Sequence, residues 1–146
     1  MDTVIKIKLK PIWHIDPPEF CIDWDGDWLF NDKIEKEQEF TFRVEGKTGK
    51  HELGFTLLNK NDNDTVTKGK EIIKDKAVSI ESVSIEGFEF DSFMHLIEYK
   101  DQYKRKKKKY GNYVCWNQRW VLPMEFPVFT WIHKLENLGW IYGDTI

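Results

Sequence analysis

Residues 21–32 read Cys-Ile-Asp-Trp-Asp-Gly-Asp-Trp-Leu-Phe-Asn-Asp. Phe20–Trp24 and Asp27–Phe30 are short β-favouring runs with Asp25-Gly26 between them. Both turn residues tolerate positive φ, so Asp-Gly flanked by such runs predicts a two-residue β-hairpin. The alternating acids invite a second reading, a calcium loop of the EF-hand type. That loop requires Gly at its sixth position and a bidentate Glu at its twelfth; counting from Asp23, those positions hold Trp28 and Ile34. The hairpin stands. Trp24 and Trp28 then either enter the core or project outward as a stacking platform for a sugar ring, and tryptophans beside strands more often pack inward.

The pattern continues on both sides of the hairpin. Val4-Ile5-Lys6-Ile7-Lys8-Leu9-Lys10 alternates strictly, placing Ile5, Ile7 and Leu9 on one face and three lysines on the other, the mark of a half-buried strand. Pro11 should end it and Asp16-Pro17-Pro18 should break the chain again; its exposed lysines suit an edge strand defended against pairing. Glu37–Val44 repeats the period with Phe40, Phe42 and Val44 inward, Gly46–Gly49 turns, and His51–Leu58 follows with Leu53, Phe55 and Leu57 inward. The polar stretch Asn59–Lys70 reads as a loop at one end of the fold. In Ala77–Glu86, Val78 and Ile80 share a phase that Val83 and Ile85 do not, which predicts a bulge at Glu81-Ser82.

Phe88–Tyr99 fits either a strand or one or two helical turns. Val114–Leu122 and Met124–Phe126 read as strands interrupted by Pro123. From Val128 the spacing becomes helical, with Val128, Ile132, Leu135 and Leu138 in a stripe and Gly139 as a stop. Many short strands and one terminal helix predict a mainly β chain: one domain over residues 1–146, an antiparallel, jelly-roll-like β-sandwich with a short C-terminal helix.

Composition narrows the function classes. A chain of 146 residues can bury a substantial core, and 15 % aromatics with seven Trp fill much of it with rings. The net charge is −3, yet Lys104-Arg105-Lys106-Lys107-Lys108-Lys109 carries six positive charges, so the remainder sums to −9 (−3 minus 6). Arginines number only three, Arg43, Arg105 and Arg119, which weighs against bidentate recognition of nucleic-acid phosphate. The basic run, bracketed by Tyr103 and Tyr110, reads as a solvated loop or a nonspecific polyanion contact. Cys21 and Cys115 make no disulfide framework and read as buried thiols of a reducing compartment. The opening MDTVIKIKLK lacks the segregated charge and apolar regions of a signal peptide, and no apolar run approaches a membrane span. A soluble protein made in a cytoplasm is the expectation.

Catalytic constellations are thin. His14, His51, His95 and His133 show no zinc spacing, and there is no nucleophile elbow, P-loop or dinucleotide fingerprint. The expectation is no enzyme. The loop Asn59–Thr65 is an oxygen-rich candidate: Asp62, Asp64 and the Asn side chains, Asn59 among them, could serve a hard cation such as calcium, although Asn and Asp also suit any exposed turn.

His51-Glu-Leu-Gly-Phe-Thr-Leu-Leu-Asn59, the polar loop, Asp75-Lys-Ala-Val-Ser-Ile80 and Val83-Ser-Ile-Glu-Gly87 together resemble calcium-dependent xylan-binding modules. They resemble still more the small β-sandwich virion proteins of tailed phages, of the cyanophage type. There the Lys-Asp-Lys-Ala stretch precedes a Trp-containing strand, here Trp116-Asn-Gln-Arg-Trp120, and an aromatic ending, here Phe126-Pro127 and Phe129-Thr-Trp131. The resemblance covers residues 37–90 and 113–140. It implies a non-enzymatic structural or decoration subunit, made in a host cytoplasm and carried into a virion, docking on other virion proteins or on copies of itself. The alternative it implies is a carbohydrate-binding module for surface polysaccharide, using calcium and outward rings among Trp24, Trp28, Trp116 and Trp120. A second alternative is a polyanion-binding accessory protein using Lys104–Lys109. Asp75 matches the second acidic position of the carbohydrate modules, which makes it a calcium ligand that the resemblance implies, but one position departs from them: where they place an acid after the Asn, this chain has Lys60.

Overall fold

The computed structural model describes residues 2–99 and 111–136. In chain order the strands are β1 (Asp2–Ile12), β2 (Glu19–Trp24), β3 (Asp27–Lys33), β4 (Gln38–Glu45), β5 (Gly49–Leu57), β6 (Val66–Lys68), β7 (Glu71–Lys74), β8 (Ala77–Ile85), β9 (Phe88–Glu89), β10 (Glu98–Tyr99), β11 (Tyr113–Val114) and β12 (Arg119–Phe126), followed by helix α1 (Val128–Glu136). One sheet runs β11-β8-β1-β4 with β9 added to β8; the other runs β10-β12-β5-β2-β3; β6 and β7 form a separate ribbon. All pairings are antiparallel. The architecture is the expected mainly β sandwich with a short C-terminal helix.

Period-two patterning fills the space between the sheets. Ile5, Ile7 and Leu9 of β1 meet Phe20 and Ile22 of β2, Leu53, Phe55 and Leu57 of β5, and Leu122 of β12 in one fully buried cluster. In the β2–β3 hairpin both turn residues have positive φ, 54° at Asp25 and 93° at Gly26, as the Asp-Gly signal requires. The predicted bulge is present: Lys8 pairs with Ser82 but Leu9 with Ile80, leaving Glu81 extra. That one residue brings Val83 and Ile85 onto the buried face already occupied by Val78 and Ile80.

Several expectations are corrected. Pro11 does not end β1, because at that point β1 is paired only with β8 and the missing N–H falls on the unpaired side. Pro123 likewise lies inside β12, opposite Glu52 of β5, beyond the short pairing of β10. Nor is β1 an edge strand. It sits between β4 and β8, and its lysines cover an outer face. The stretch Asn59–Lys70 is not all loop: a 3₁₀ turn at Asp62–Asp64 is capped by Asn61, and Val66–Lys68 pairs with β7 around Gly69. Phe88–Tyr99 mixes both alternatives, a short strand at each end and a 3₁₀ segment over Asp91–Leu96. Cys21 and Cys115 are thiols with no disulfide between them, and Cys21 is buried. In α1, Val128 and Trp131 are buried and Ile132 packs on the core; Leu138 and Gly139 lie outside the described residues.

The two ends of the sandwich differ. At the hairpin end Trp24 stacks on His51 with ring centroids 4.9 Å apart, and both rest on Phe126. At the opposite end the chain leaves β1, β5, β7 and β11 in polar segments that converge on one cluster.

Candidate functional site

That cluster draws on residues 13–18, 58–65, 75–76 and 113–117. Asn59 ties two of these segments: its Oδ1 accepts from Glu19 N at 2.8 Å and its Nδ2 donates to Pro17 O at 3.0 Å. Asp75 is the hub. Its Oδ1 accepts from Lys60 Nζ at 2.6 Å, Thr65 Oγ1 at 2.8 Å and its neighbour's backbone, Lys76 N, at 2.9 Å, while Oδ2 accepts from the Tyr113 hydroxyl at 3.3 Å. Burial opposes charge on Asp75, but the hydrogen bonds from Lys60 and Thr65 outweigh it and hold the carboxyl below the ordinary aspartate value. Burial and the same carboxylate push the Tyr113 hydroxyl up to about 12, so it donates at every physiological pH.

Two lysines fill the interior. Lys60 Nζ also donates to Cys115 O at 2.8 Å and lies 5.4 Å from the centre of the Trp116 ring. Its backbone is clasped by Asn117, whose Oδ1 accepts from Lys60 N and whose Nδ2 donates to Lys60 O. Lys76 is fully buried, and its Nζ donates to Asp16 Oδ1 at 2.6 Å and Asn59 O at 3.2 Å, with Asp64 Oδ2 at 3.5 Å. Asp64 in turn caps its own turn through Asn61 N, and its carbonyl accepts from His14 Nε2 at 2.9 Å.

A cleft of about 290 Å³ opens beside Asp75, between β7 and the exit of β1, with Trp13, His14, Ile72, Ile73 and Tyr113 in its walls. Trp13 and Tyr113 are 39 % and 41 % exposed, yet neither ring is loose. Trp13 Nε1 donates to Glu35 O at 3.1 Å, and Tyr113 is held by Asp75. A larger cleft, about 580 Å³, lies at the hairpin end beside α1. There the exposed rings are Phe88 and Phe129, which have no polar atom and pack on each other at 6.2 Å, and Glu86 in its wall is engaged by Val4 N. The smaller cleft therefore has the better combination of exposed ring faces and fixed polar groups for recognising a polar ligand.

Of the predicted metal residues, the structure brings Asn59, Asp64 and Asp75 together and leaves Asp62 exposed at the surface. With the two ammonium groups in place they do not fit a calcium ion, since only Asp64 Oδ1 is left without a donor among the described residues. Asp75 Oδ1 already receives three donors, the Asn59 oxygens face Glu19 N and Lys76 Nζ, and Asp64 Oδ2 faces Asn61 N and Lys76 Nζ. Among the described residues no group of three or more His, Cys, Asp or Glu side chains is disposed to hold a metal. Of the predicted ligand-binding tryptophans, Trp24 and Trp120 are core residues, 7 % and 2 % exposed, which corrects them as platforms: inward phase on β2 and β12 puts both between the sheets. Trp116 is 48 % exposed over Lys60. Trp28 is 70 % exposed but pairs with Asp23 near the hairpin, away from this cluster. Lys104, Arg105, Lys106, Lys107, Lys108 and Lys109 lie outside the described residues.

Sequence reasoning missed Trp13, Asp16, Lys76 and Tyr113. The only signal at the first two is the break at Asp16-Pro17-Pro18, which forces residues 13–16 off the sheet and across its end. A second polar centre was also missed. Arg119 clamps the buried Asp23 with Nε at 3.1 Å and Nη2 at 2.6 Å and reaches Glu52 with Nη1 at 2.9 Å, on the outer face of the β12-β5-β2 sheet.

No protein-family model matches the sequence, and no curated protein matches it. Among solved structures, the fold is similar to the selenomethionine form of vCBM60, described with a circular permutation that links two families of calcium-dependent carbohydrate-binding modules. The TM-score is 0.52 at 11 % identity, covering 82 % of this chain and 88 % of that one. A second structure, vCBM60 in complex with galactobiose, gives 0.48 at 7 % identity over 82 % and 95 %. At such identity the likeness is one of fold.

Proposed function

We propose that the protein is a non-catalytic carbohydrate-binding β-sandwich that holds a polysaccharide in the Trp13–Tyr113 cleft and needs no calcium to do so. The observation that carries this reading is the pair of exposed rings, each tethered at its polar edge by a hydrogen bond, beside the Asp75 carboxylate. A ring fixed before binding loses little rotamer freedom when a ligand arrives. An apolar face with a polar edge is also the surface that a pyranose, apolar on its faces and hydroxylated on its rim, complements. Membership of a sandwich fold shared with carbohydrate-binding modules supports the reading. The test is retardation of the native protein in gels cast with neutral plant and bacterial polysaccharides, with and without chelator. Retardation by at least one of them, unchanged by chelator, reduced at least tenfold by Trp13→Ala and unaffected by Trp28→Ala, is expected. Binding that survives Trp13→Ala at full strength refutes the site.

A second reading rests on the same end of the molecule. Ile15, Ile72 and Ile73 are each more than half exposed, and the last two share the cleft with Trp13. Aliphatic side chains are a poor surface for a sugar and a good one for a protein partner. Ile72→Lys separates the two readings, since it abolishes docking and spares a sugar stacked on Trp13. A place in a phage particle draws no support from the fold or the comparisons.

A further inference from the structure

Lysine is almost never fully buried unless paired, and this cluster holds one lysine fully buried and a second nearly so. The Lys76 side chain is 0 % exposed and that of Lys60 12 %. Two buried carboxylates, Asp64 and Asp75, face them and balance their charge, and a third, Asp16, reaches Lys76 from a half-exposed position. Asp64 is 1 % exposed, and its Oδ1 has no hydrogen-bond partner among the described residues. Around Lys60 Nζ the arrangement is that of a receptor for an ammonium ion: a carboxylate oxygen at 2.6 Å, a carbonyl oxygen at 2.8 Å and an indole face at 5.4 Å. The carboxylate is itself fixed by Thr65, Lys76 N and Tyr113, so the receptor is held in place by groups other than the lysine it binds.

We propose that Asp75, the Cys115 carbonyl and the Trp116 ring form a primary-ammonium site that the chain fills in cis with Lys60, a built-in cation that makes this end of the sandwich independent of metal. Removal of the Lys60 headgroup then leaves a site for a free ammonium ion. The inference stands on the cluster geometry and does not rest on the carbohydrate reading.

Lys60→Ala deletes, atom for atom, a propylammonium ion, so propylammonium chloride is the probe. Tetramethylammonium and sodium chloride at matched ionic strength are the controls, since neither carries an N–H to donate to Asp75 and Cys115. Thermal unfolding is the readout. The wild-type midpoint is expected to ignore calcium and chelator alike. Lys60→Ala should melt about 10 °C lower, as for a buried charge stripped of its partner, and propylammonium alone should raise its midpoint by several degrees. Three results each overturn the proposal: a variant within about 2 °C of wild type, equal rescue by tetramethylammonium, or a wild type stabilised by calcium. Should Lys60→Ala fail to fold, Lys60→Met/Asp75→Asn, which removes both charges together, decides: a folded double variant upholds the pairing and an unfolded one overturns it.

Discussion

Gly54 gives the sharpest test of how the second sheet is held together. It lies in β5 opposite Asp23 of β2 on one side and Val121 of β12 on the other. A Cβ built there would fall 2.1 Å from Asp23 Oδ1 and 2.6 Å from Arg119 Nε. Propensity alone says that Gly54→Ala should stabilise the strand, by about 0.5–1 kcal/mol. Packing says the opposite. Ordinary non-bonded contact needs about 3.5 Å, so the Asp23 carboxylate must retreat by more than an ångström. It is held there by the two-point Arg119 clamp and by Gly26 N at 2.9 Å, and a retreat of that size takes it out of reach of all three donors.

Overpacking a tight site costs about 1–3 kcal/mol, and a buried charge that loses its partner costs about 3–5 kcal/mol. The second figure is discounted here, because the Arg119 side chain is 31 % exposed and keeps its Glu52 contact. A net loss of about 2–3 kcal/mol remains after the propensity gain. Urea unfolding followed by far-ultraviolet circular dichroism should show a lower midpoint with an unchanged m-value. In a cycle with Asp23→Ala, the double variant should be less destabilised than the sum of the singles by more than about 1 kcal/mol. A Gly54→Ala protein as stable as wild type refutes the claim that this glycine exists to admit the Asp23–Arg119 pair.

Lys76→Met should cost about 3–5 kcal/mol by leaving Asp64 buried without its cation, and Lys76→Met/Asp64→Asn should recover most of it in the same unfolding assay; no recovery would place the role of Lys76 elsewhere. His51 has Asp25 Oδ2 at 2.7 Å from Nδ1 and the Lys47 carbonyl at Nε2; burial opposes its charge, but these acceptors outweigh it and raise the ring above 6.5. A raised histidine contributes stability that is full below its unfolded value and lost as pH climbs through its folded one, so the thermal midpoint should fall as the pH rises above about 6.5. His51→Gln should flatten that fall. Gly26 has φ +93° and open space where a Cβ would go, so Gly26→Ala should cost only the left-handed penalty, about 1–2 kcal/mol, and Gly26→Asn measurably less.

Legibility followed the range of the interaction. The hairpin at Asp25-Gly26 and the bulge at Glu81 are encoded within a few residues, as turn chemistry and as a slip in the period of two, and both are present where the pattern puts them. Pro11 and Pro123 look like terminators because a proline removes a ladder donor. Each is tolerated because its N–H side faces no neighbour at that register, which depends on strand order and is invisible locally. The oxygen donors Asn59, Asp64 and Asp75 stand out in the sequence by type. The groups that occupy them do not: Lys60 and Lys76 look like any exposed lysine until tertiary structure folds their ammonium groups inward. Trp24 and Trp28, adjacent to the same turn, have opposite fates because a two-residue turn pairs Trp24 with Asp27 and Trp28 with Asp23, which puts the two rings on opposite faces of the hairpin; that much follows from the turn length, and which face is buried follows from the sheet.

Ammonium–carboxylate pairs are a poor source of stability, since removing charges from water cancels most of their attraction. What they provide at the loop end is position. Lys60 joins the segments leaving β5, β7 and β11, Lys76 joins β8 to the exit of β1 and the Asp64 turn, and Asn59 joins β5 to β2. An apolar contact of equal energy would let these segments slide; a carboxylate with three donors on one oxygen does not. The exposed rings of Trp13 and Tyr113 therefore stand on a base whose geometry is set before any ligand arrives. A sandwich that fixes its loops with a metal depends on the supply of that metal, whereas one that fixes them with lysine carries its cations in the chain. Variants of Lys60 and Lys76 should therefore weaken polysaccharide retention in proportion to the stability they lose. Variants of Trp13 should abolish retention at unchanged stability, and a parallel loss of both in Trp13→Ala would show that the ring belongs to the scaffold instead.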